Sequence, residues 1–307
     1  MNITKAVILK TSATFLFTVM AVLIRWLGDA VPLGEIVFCR SFFALIPVVV
    51  IYAWRGQLKT AVKTKRPFGH IGRGLIGAGG MFFNFGALAL LPVADATAIS
   101  FAGPLATVVL AAVVLRERVR IYRWSAVMVG FIGIIIMLAP HLSIGAGDGP
   151  VFTGGLGSLY ALMGALCTAG AVVQTRRLTD SETTSSIVFY FSVSCAVFGL
   201  ITWPLGWTMP AWPQAVALVA SGISGGLAQL AMTESYRHAP ASFIAPFDYF
   251  TMIWAVALGF LVFQEIPEIS VLTGAAVVIA AGLFVIWRES QLGIKRRREV
   301  ERTGPAI

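Results

Sequence analysis

The stretch ALALLPVADATAISFAGPLATVVLAAVVLRERV (residues 87–119) has a counterpart 148 residues further along, SYRHAPASFIAPFDYFTMIWAVALGFLVFQEIP (residues 235–267). In both copies a proline-containing turn precedes an apolar segment, and the segment ends at a glutamate, Glu117 or Glu265. A match at one fixed shift indicates an internal repeat of about half the chain.

The composition indicates a membrane protein. Hydrophobic residues make up 58% of the 307 residues and charged residues only 12%, with a mean hydropathy of +0.86. Apolar runs of about 20 residues recur along the chain, and each could cross a hydrocarbon layer about 30 Å thick. Continuous runs favour helices over alternating barrel strands. The pattern predicts ten helices at approximately residues 6–27, 34–54, 71–91, 95–115, 121–139, 156–176, 185–206, 214–236, 242–263 and 269–287.

The basic residues predict the orientation. Apart from Arg25 and Arg40, every lysine and arginine falls at the N-terminus, in every second predicted loop or in the tail. Basic residues concentrate on the cytoplasmic side of membrane proteins, so we expect both termini in the cytoplasm and a multi-pass protein of the inner membrane. This topology accounts for the net charge of +9 without a nucleic-acid partner.

The repeat predicts an inverted architecture. Five helices is an odd number, so a second copy of five must enter the membrane in the opposite orientation. We therefore expect an all-α integral membrane protein with ten transmembrane helices in two inverted five-helix repeats, a pattern typical of secondary transporters. The expected boundaries are residues 1–140 for the first repeat, 141–155 for an extracytoplasmic linker, 156–288 for the second repeat and 289–307 for a basic tail.

With these features the chain resembles the ten-helix, EamA-type members of the drug/metabolite transporter superfamily. The resemblance implies a central cavity lined by helices one to four and six to nine. It also implies a small-molecule substrate, such as an amino acid, a nucleoside-like metabolite, S-adenosylmethionine or riboflavin. The segment 73–119 is most similar to the riboflavin and S-adenosylmethionine importers, so we expect a flat aromatic or vitamin-like solute such as riboflavin. An amino acid or S-adenosylmethionine is the alternative.

Ionisable side chains within spans are candidates for function, because each costs about 2.5–3.5 kcal/mol to insert. Arg40 could bind a carbonyl group or Glu35, or it could bind an anionic group of the substrate. Arg25 could reach the interface or form an ion pair. Asp95 could cap its helix or pair with an arginine. Asp248 lies deeper and is a candidate for coupling to a proton or cation.

Further candidates are neutral polar and aromatic residues. Hydrogen bonds between helices and ordinary packing are the alternative explanation for them. Pro104 and Pro246 are expected hinges, since proline interrupts the helical hydrogen bonds. The expected substrate-binding set is Arg40, Asn84, Phe101, Tyr160, Tyr190, Gln229, Tyr249 and Trp254.

Other classes of protein fit less well. The chain has no HExxH, GxSxG or phosphate-binding loop motif, and its three histidines lie far apart, which argues against an enzyme or an ATP-driven pump. The sequence also lacks the rings of like charges that would indicate a channel. We expect no metal and no cofactor. Membrane lipid is the other expected partner, and a homodimer is compatible with the sequence.

Overall fold

The computed structural model describes residues 3–56, 62–114, 121–138, 151–179, 181–238 and 245–303. Every regular element in those ranges is helical. The α-helices are α1 (Ile3–Leu27), α2 (Leu33–Trp54), α3 (Pro67–Leu90), α4 (Val93–Ser100), α5 (Ala102–Val114), α6 (Ile121–Leu138), α7 (Val151–Thr179), α8 (Thr184–Ile201), α9 (Trp212–His238), α10 (Phe250–Phe263) and α11 (Ile269–Thr303). The 3₁₀ turns are Gly28–Ala30, Trp203–Leu205 and Ala245–Tyr249.

The helices have the dimensions of a multi-pass membrane protein. Five of them, α1, α2, α3, α7 and α9, are long and apolar enough to span a bilayer. Shorter apolar segments occur in α6, α8 and α11, and in α10 together with the turn before it. Large apolar side chains such as Phe131 and Ile132 stay on the outside of the bundle, as expected where the surroundings are hydrocarbon.

Several predicted boundaries are wrong, and two have a clear physical reason. Helix α3 begins at Pro67, before the predicted start at residue 71, because proline is well tolerated in the first turn of a helix. Helix α11 runs on to Thr303 through the expected tail, since glutamate, lysine and arginine have high helix propensity although they are not apolar. Helix α7 begins at Val151, within the expected linker.

The helix predicted at residues 95–115 is interrupted. Helix α4 ends at Ser100, and α5 begins at Ala102 on the other side of Phe101. Pro104 has no N–H group to donate to the carbonyl of Ser100 four residues earlier, so the regular ladder cannot cross this point.

The second copy changes its helical geometry at the matching place. Within the helix predicted at residues 242–263, the described part starts as the 3₁₀ turn Ala245–Tyr249, and α10 begins at Phe250. Tyr249 is the repeat equivalent of Phe101. Both copies thus change helical geometry at equivalent residues.

Helix packing has the same pattern when the two halves are exchanged. The 148-residue shift converts α1 into α7, α2 into α8, α3 into α9 and α5 into α10. Helix α1 packs on α9 and α3 packs on α7; α2 packs on α9 and α8 packs on α3; α1 lies beside α10 and α7 lies beside α5.

Two pairs of equivalent helices pack on each other in antiparallel fashion. In the α2–α8 pair, Gly34 lies against Thr202 and Gly199 lies against the backbone of Phe38. The chain direction along α8 is therefore opposite to that along α2.

The α6–α11 pair behaves in the same way. Gly133 lies against Gly274, while Ala126 and Ala281 line a common crevice. The two backbones approach closely because neither glycine carries a side chain, a usual device in membrane helix pairs.

We expect Gly274→Ala to destabilise the protein. The added Cβ would lie 2.5 Å from the carbonyl oxygen of Gly133 and 2.5 Å from Cγ of Met137, and overpacking of this kind costs about 1–3 kcal/mol. Thermal unfolding of the detergent-purified protein measures the effect.

Gly79→Ala is the matched control. Its added Cβ would meet only Sγ of Cys167 at 3.8 Å, and alanine is the better helix former. Equal unfolding temperatures for Gly274→Ala and Gly79→Ala would contradict the close α6–α11 contact.

Candidate functional site

Two ion pairs join α1 to the ends of α10. Nζ of Lys10 lies 2.6 Å from Oδ1 of Asp248, just before α10. Nη2 of Arg25 lies 3.1 Å from Oε1 of Glu265, just after α10. The low-numbered cation pairs with the low-numbered acid, so α1 and α10 run in the same direction. We call this contact the α1–α10 seam; it joins the first half of the chain to the second.

Aromatic rings fill the seam between the ion pairs. The rings of Phe15 and Trp254 meet edge to face with centroids 5.4 Å apart. The indole Nε1 of Trp254 is buried and has no hydrogen-bond acceptor among the described residues. Trp254, predicted to bind substrate, therefore keeps an unused donor at the interface of the two halves.

Lys10 was missed by the sequence analysis, which placed it with the N-terminal flank outside the membrane. Its side chain is only 1% exposed and lies within α1. A lysine so close to the N-terminus is easily read as a flanking charge. One signal could have identified it, because Lys10 and Arg25 are separated by 15 residues. On an α-helix, side chains at this spacing point in directions about 60° apart around the axis, so both cations lie towards one face.

Arg25 is held inside the bundle and does not simply extend to the interface. Its Nη1 donates to the carbonyl oxygens of Leu88 at 3.1 Å and Ala89 at 2.8 Å, and its side chain is 23% exposed. The second oxygen of Glu265 accepts the N–H of Val93 at 3.3 Å. One carboxylate thus connects α1, the end of α10 and the start of α4.

The expectation that Asp95 caps its helix is wrong. The N-cap position of α4 is Pro92, without a side-chain cap, and it is Glu265 from the other half that accepts the first N–H. Asp95 lies in the first turn, 4% exposed, where a carboxylate interacts favourably with the positive end of the helix dipole.

Arg40 occupies a different environment, between α1, α2, α3 and α9. It is 4% exposed, and its contacts are sulfur atoms: Nε lies 3.4 Å from Sδ of Met20 and Nη1 lies 3.7 Å from Sδ of Met81. The guanidinium fits against Gly225, where a side chain would collide with it. The alternative tie to Glu35 is wrong, since Glu35 accepts an N–H from the loop after α8.

Thioethers are weak acceptors, so the contacts of Arg40 satisfy a guanidinium poorly. No carboxylate lies within ion-pair distance of it among the described residues. A buried cation in this condition has capacity to bind an anionic group.

Asn84 and Tyr160 lie together between α3 and α7. Asn84 donates to the carbonyl of Gly80 at 2.7 Å and to Thr168 at 3.4 Å, and its amide fills the space beside Gly164. It therefore forms a hydrogen bond between helices. Tyr160 lines a mainly apolar cavity of about 370 Å³. This cavity contains no other member of the predicted substrate-binding set.

Tyr190 and Gln229 lie apart from this cavity. The hydroxyl of Tyr190 donates to the carbonyl of Val62 at 2.7 Å, and its ring lies 4.8 Å from that of His70. Tyr190 thus belongs to the contact between the α2–α3 connection and α8. Gln229, on α9, is half-buried.

Phe101 and Tyr249 touch each other. Their rings meet edge to face with centroids 5.5 Å apart, and the hydroxyl of Tyr249 packs against Gly282 of α11. When residues at equivalent positions of two copies are in contact, they lie on the axis that relates the copies. The two positions at which the helical geometry changes therefore meet at this axis.

Glu182 gathers donors from the connection between α2 and α3. Its carboxylate accepts the N–H groups of Lys65 at 2.6 Å and Arg66 at 2.8 Å and the hydroxyl of Thr64 at 3.1 Å. Nε2 of His70 lies 3.6 Å away. Burial acts to raise the pKa of Glu182, but the hydrogen bonds outweigh it and hold the pKa below its ordinary value.

The described residues include no group of three histidine, cysteine, aspartate or glutamate side chains suited to a metal ion. Cys39, Cys167 and Cys195 are free thiols within helices. The arrangement is one of ion pairs, aromatic rings and two buried arginines, Arg40 and Arg73, between two packed halves.

Known proteins provide a comparison. The model of the EamA-like transporter family matches residues 4–139 and 155–288. The S-adenosylmethionine uptake transporter of Rickettsia prowazekii is 31% identical over 88% of this chain and 88% of its own. The riboflavin transporter of Vibrio cholerae is 29% identical over 83% and 82%. A protein of known crystal structure shares the fold, with a TM-score of 0.65 at 20% identity over 94% of this chain and 99% of its own.

The lowered pKa of Glu182 predicts a pH dependence of stability. Its contribution is present at pH values above the ordinary pKa of 4.5 and is lost as the pH falls through the lower folded-state pKa. We expect Glu182→Gln to be less stable than wild type at pH 7, by about 1.5–3 kcal/mol. The difference should shrink as the pH is lowered towards 3.

Thermal unfolding in detergent, in steps from pH 7 to about pH 3, measures this effect. Glu268→Gln serves as control, because Glu268 is exposed and bonds only to Ser270 among the described residues. A constant difference between Glu182→Gln and wild type across that pH range would contradict the assignment.

Proposed function

The chain belongs to the EamA-like transporter family. From this premise we propose that it is a secondary transporter, which moves a small metabolite across the membrane by alternating access along a path between its two halves. Membrane metabolite transport is common to the related proteins described above. What is specific to this proposal is the pathway, the substrate class and the residues involved.

The observation that carries the proposal is the contact between Phe101 and Tyr249, the equivalent positions at which the helical geometry of each copy changes. Discontinuous helices at the interface of two repeats are the usual setting for a transporter's substrate site. We propose that the site lies beside this contact, and that Pro104 and Pro246 act as hinges next to it.

The antiparallel packing of α2 with α8 and of α6 with α11 supports inverted repeats. Repeats of the same orientation would place equivalent helices parallel to each other, whereas inversion places them antiparallel. Together with the distribution of basic residues, this supports cytoplasmic termini in the inner membrane, and repeats close to residues 1–140 and 156–288.

For the substrate, we favour S-adenosylmethionine or a similar metabolite that combines an aromatic ring with a carboxylate. Arg40 is the proposed partner of the carboxylate, since it has no carboxylate of its own nearby. Phe101, Tyr249 and Trp254 offer ring surfaces at the interface. The resemblance to a named S-adenosylmethionine uptake transporter supports the same choice.

Riboflavin, the first expectation from the sequence, is the second candidate. The aromatic residues suit a flavin, and a named riboflavin transporter is among the relatives. Riboflavin has no carboxylate, however, and would leave the charge of Arg40 unused. For S-adenosylmethionine, we propose that Arg40 binds the substrate more directly than Asn84, Tyr160, Tyr190 and Gln229 do.

We expect proteoliposomes containing the protein to take up radiolabelled S-adenosylmethionine, and Arg40→Gln to reduce the rate by roughly 10- to 150-fold. That range corresponds to loss of about 1.5–3 kcal/mol for a charge-assisted hydrogen bond. Riboflavin uptake, if present, should be unaffected by the substitution.

Arg55→Gln is the matched control, since Arg55 is exposed at the end of α2. Wild-type uptake by Arg40→Gln would remove Arg40 from the site. Absence of S-adenosylmethionine uptake together with riboflavin uptake would make the flavin the better candidate.

Inversion predicts opposite accessibility at equivalent positions. Ile121 and Ile269 are separated by the repeat shift, start α6 and α11, and are 86% and 76% exposed. In a cysteine-free background, Ile269→Cys should react with an impermeant maleimide added outside intact cells, and Ile121→Cys only after permeabilisation. Reaction of both from the same side would contradict the inverted architecture.

A further inference from the structure

We propose that Asp248 and the aromatic rings around it bind an alkylated onium group of the substrate, a sulfonium or a quaternary ammonium. Lys10 is the internal cation that occupies this carboxylate when the site is empty. The inference rests on the proposed function and adds the residue that recognises the positive charge of the substrate.

The two partners of the ion pair are buried very unequally. The side chain of Lys10 is 1% exposed, whereas that of Asp248 is 51% exposed. Only Oδ1 of Asp248 is bound by Lys10, and no other partner of this carboxylate occurs among the described residues. A second cation can therefore approach Asp248 while Lys10 remains in the protein.

Aromatic residues surround Asp248 in the sequence PFDYF. The rings of Phe247 and Phe250 stack with centroids 5.9 Å apart and an interplanar angle of 13°, and Tyr249 packs edge to face on Phe101. A carboxylate that is next to several aromatic residues in the chain is suited to an alkylated cation, because such cations are weakly hydrated and are attracted by the ring quadrupole.

The position of Asp248 is central. It adjoins Tyr249, whose contact with Phe101 lies on the axis relating the halves. Its repeat equivalent is Ser100, whose hydroxyl donates to the carbonyl of Thr97. The site at the axis thus carries a carboxylate from one half only, which suits a single positive charge on the substrate.

The pair Lys10–Asp248 is neutral as a whole, so the empty site leaves no unbalanced charge in the membrane. An incoming onium group competes with Lys10 for Asp248. Lys10 therefore lowers the affinity for the cation. If the ion pair had a purely structural role, no ligand would compete with Lys10 for Asp248.

The test compares S-adenosylmethionine with S-adenosylhomocysteine, which lacks the methyl group and the positive charge on sulfur. Binding is measured in nanodiscs with radiolabelled ligands. We expect wild type to prefer S-adenosylmethionine by about tenfold, and Asp248→Asn to lose this preference while its affinity for S-adenosylhomocysteine stays unchanged. Lys10→Met should bind S-adenosylmethionine at least about threefold more tightly than wild type.

Loss of one charge could impair folding, so the double variant Lys10→Met/Asp248→Asn, which removes both charges, is measured as well. It should bind the two ligands equally. Glu268→Gln, an exposed acid substitution beyond the end of α10, should retain the wild-type preference.

Equal binding of the two ligands by wild type, or weaker binding of S-adenosylmethionine by Lys10→Met, would overturn the proposal and leave a structural ion pair. If wild type binds neither ligand, the proposed substrate is wrong, and tetramethylammonium then tests the site alone. Thermal stabilisation of wild type by tetramethylammonium, abolished in the double variant, would uphold the onium site. Its absence would overturn it.

Discussion

The need to balance buried charge is the constraint on which the arrangement of this molecule depends, because a cation enclosed by apolar side chains requires an acceptor or an opposite charge within reach. Helix α1 carries two such cations, Lys10 and Arg25, and the carboxylates described with them are Asp248 and Glu265, at the two ends of α10 in the second half. These two ion pairs therefore form only when the second half has packed against the first.

Much of the architecture follows from the sequence because hydropathy and repetition report on it directly. The membrane character and the matching of residues 87–119 with 235–267 both come from residue types and their order. Element boundaries follow less well. Pro67 begins a helix and the charged end of α11 continues one, since hydrogen bonding and helix propensity decide these points and a window of apolar residues does not measure them.

The sequence supplies candidate residues for the site, but it does not show which of them are in contact. The repeat alignment already matched Phe101 with Tyr249, but it did not show that the two rings touch. Ion-pair partners depend on the register between α1 and α10, which no local pattern encodes. Lys10 and Glu265 were for this reason assigned to the flanks of their helices. Tyr190 is a further example, because its hydroxyl donates to the carbonyl of Val62, and no local sequence pattern predicts that contact.

The parallel course of α1 and α10 gives the two ion pairs a mechanical relation. They are separated by 15 residues of α1, a lever arm of about 22 Å. A rotation of about 10° around one pair displaces the other by about 4 Å, enough to part it. The two helices can thus rotate about one ion pair while the other ion pair separates. Parting both at once would separate the buried Lys10 and the partly buried Arg25 from their carboxylates, and this penalty disfavours a continuous aqueous leak through the protein.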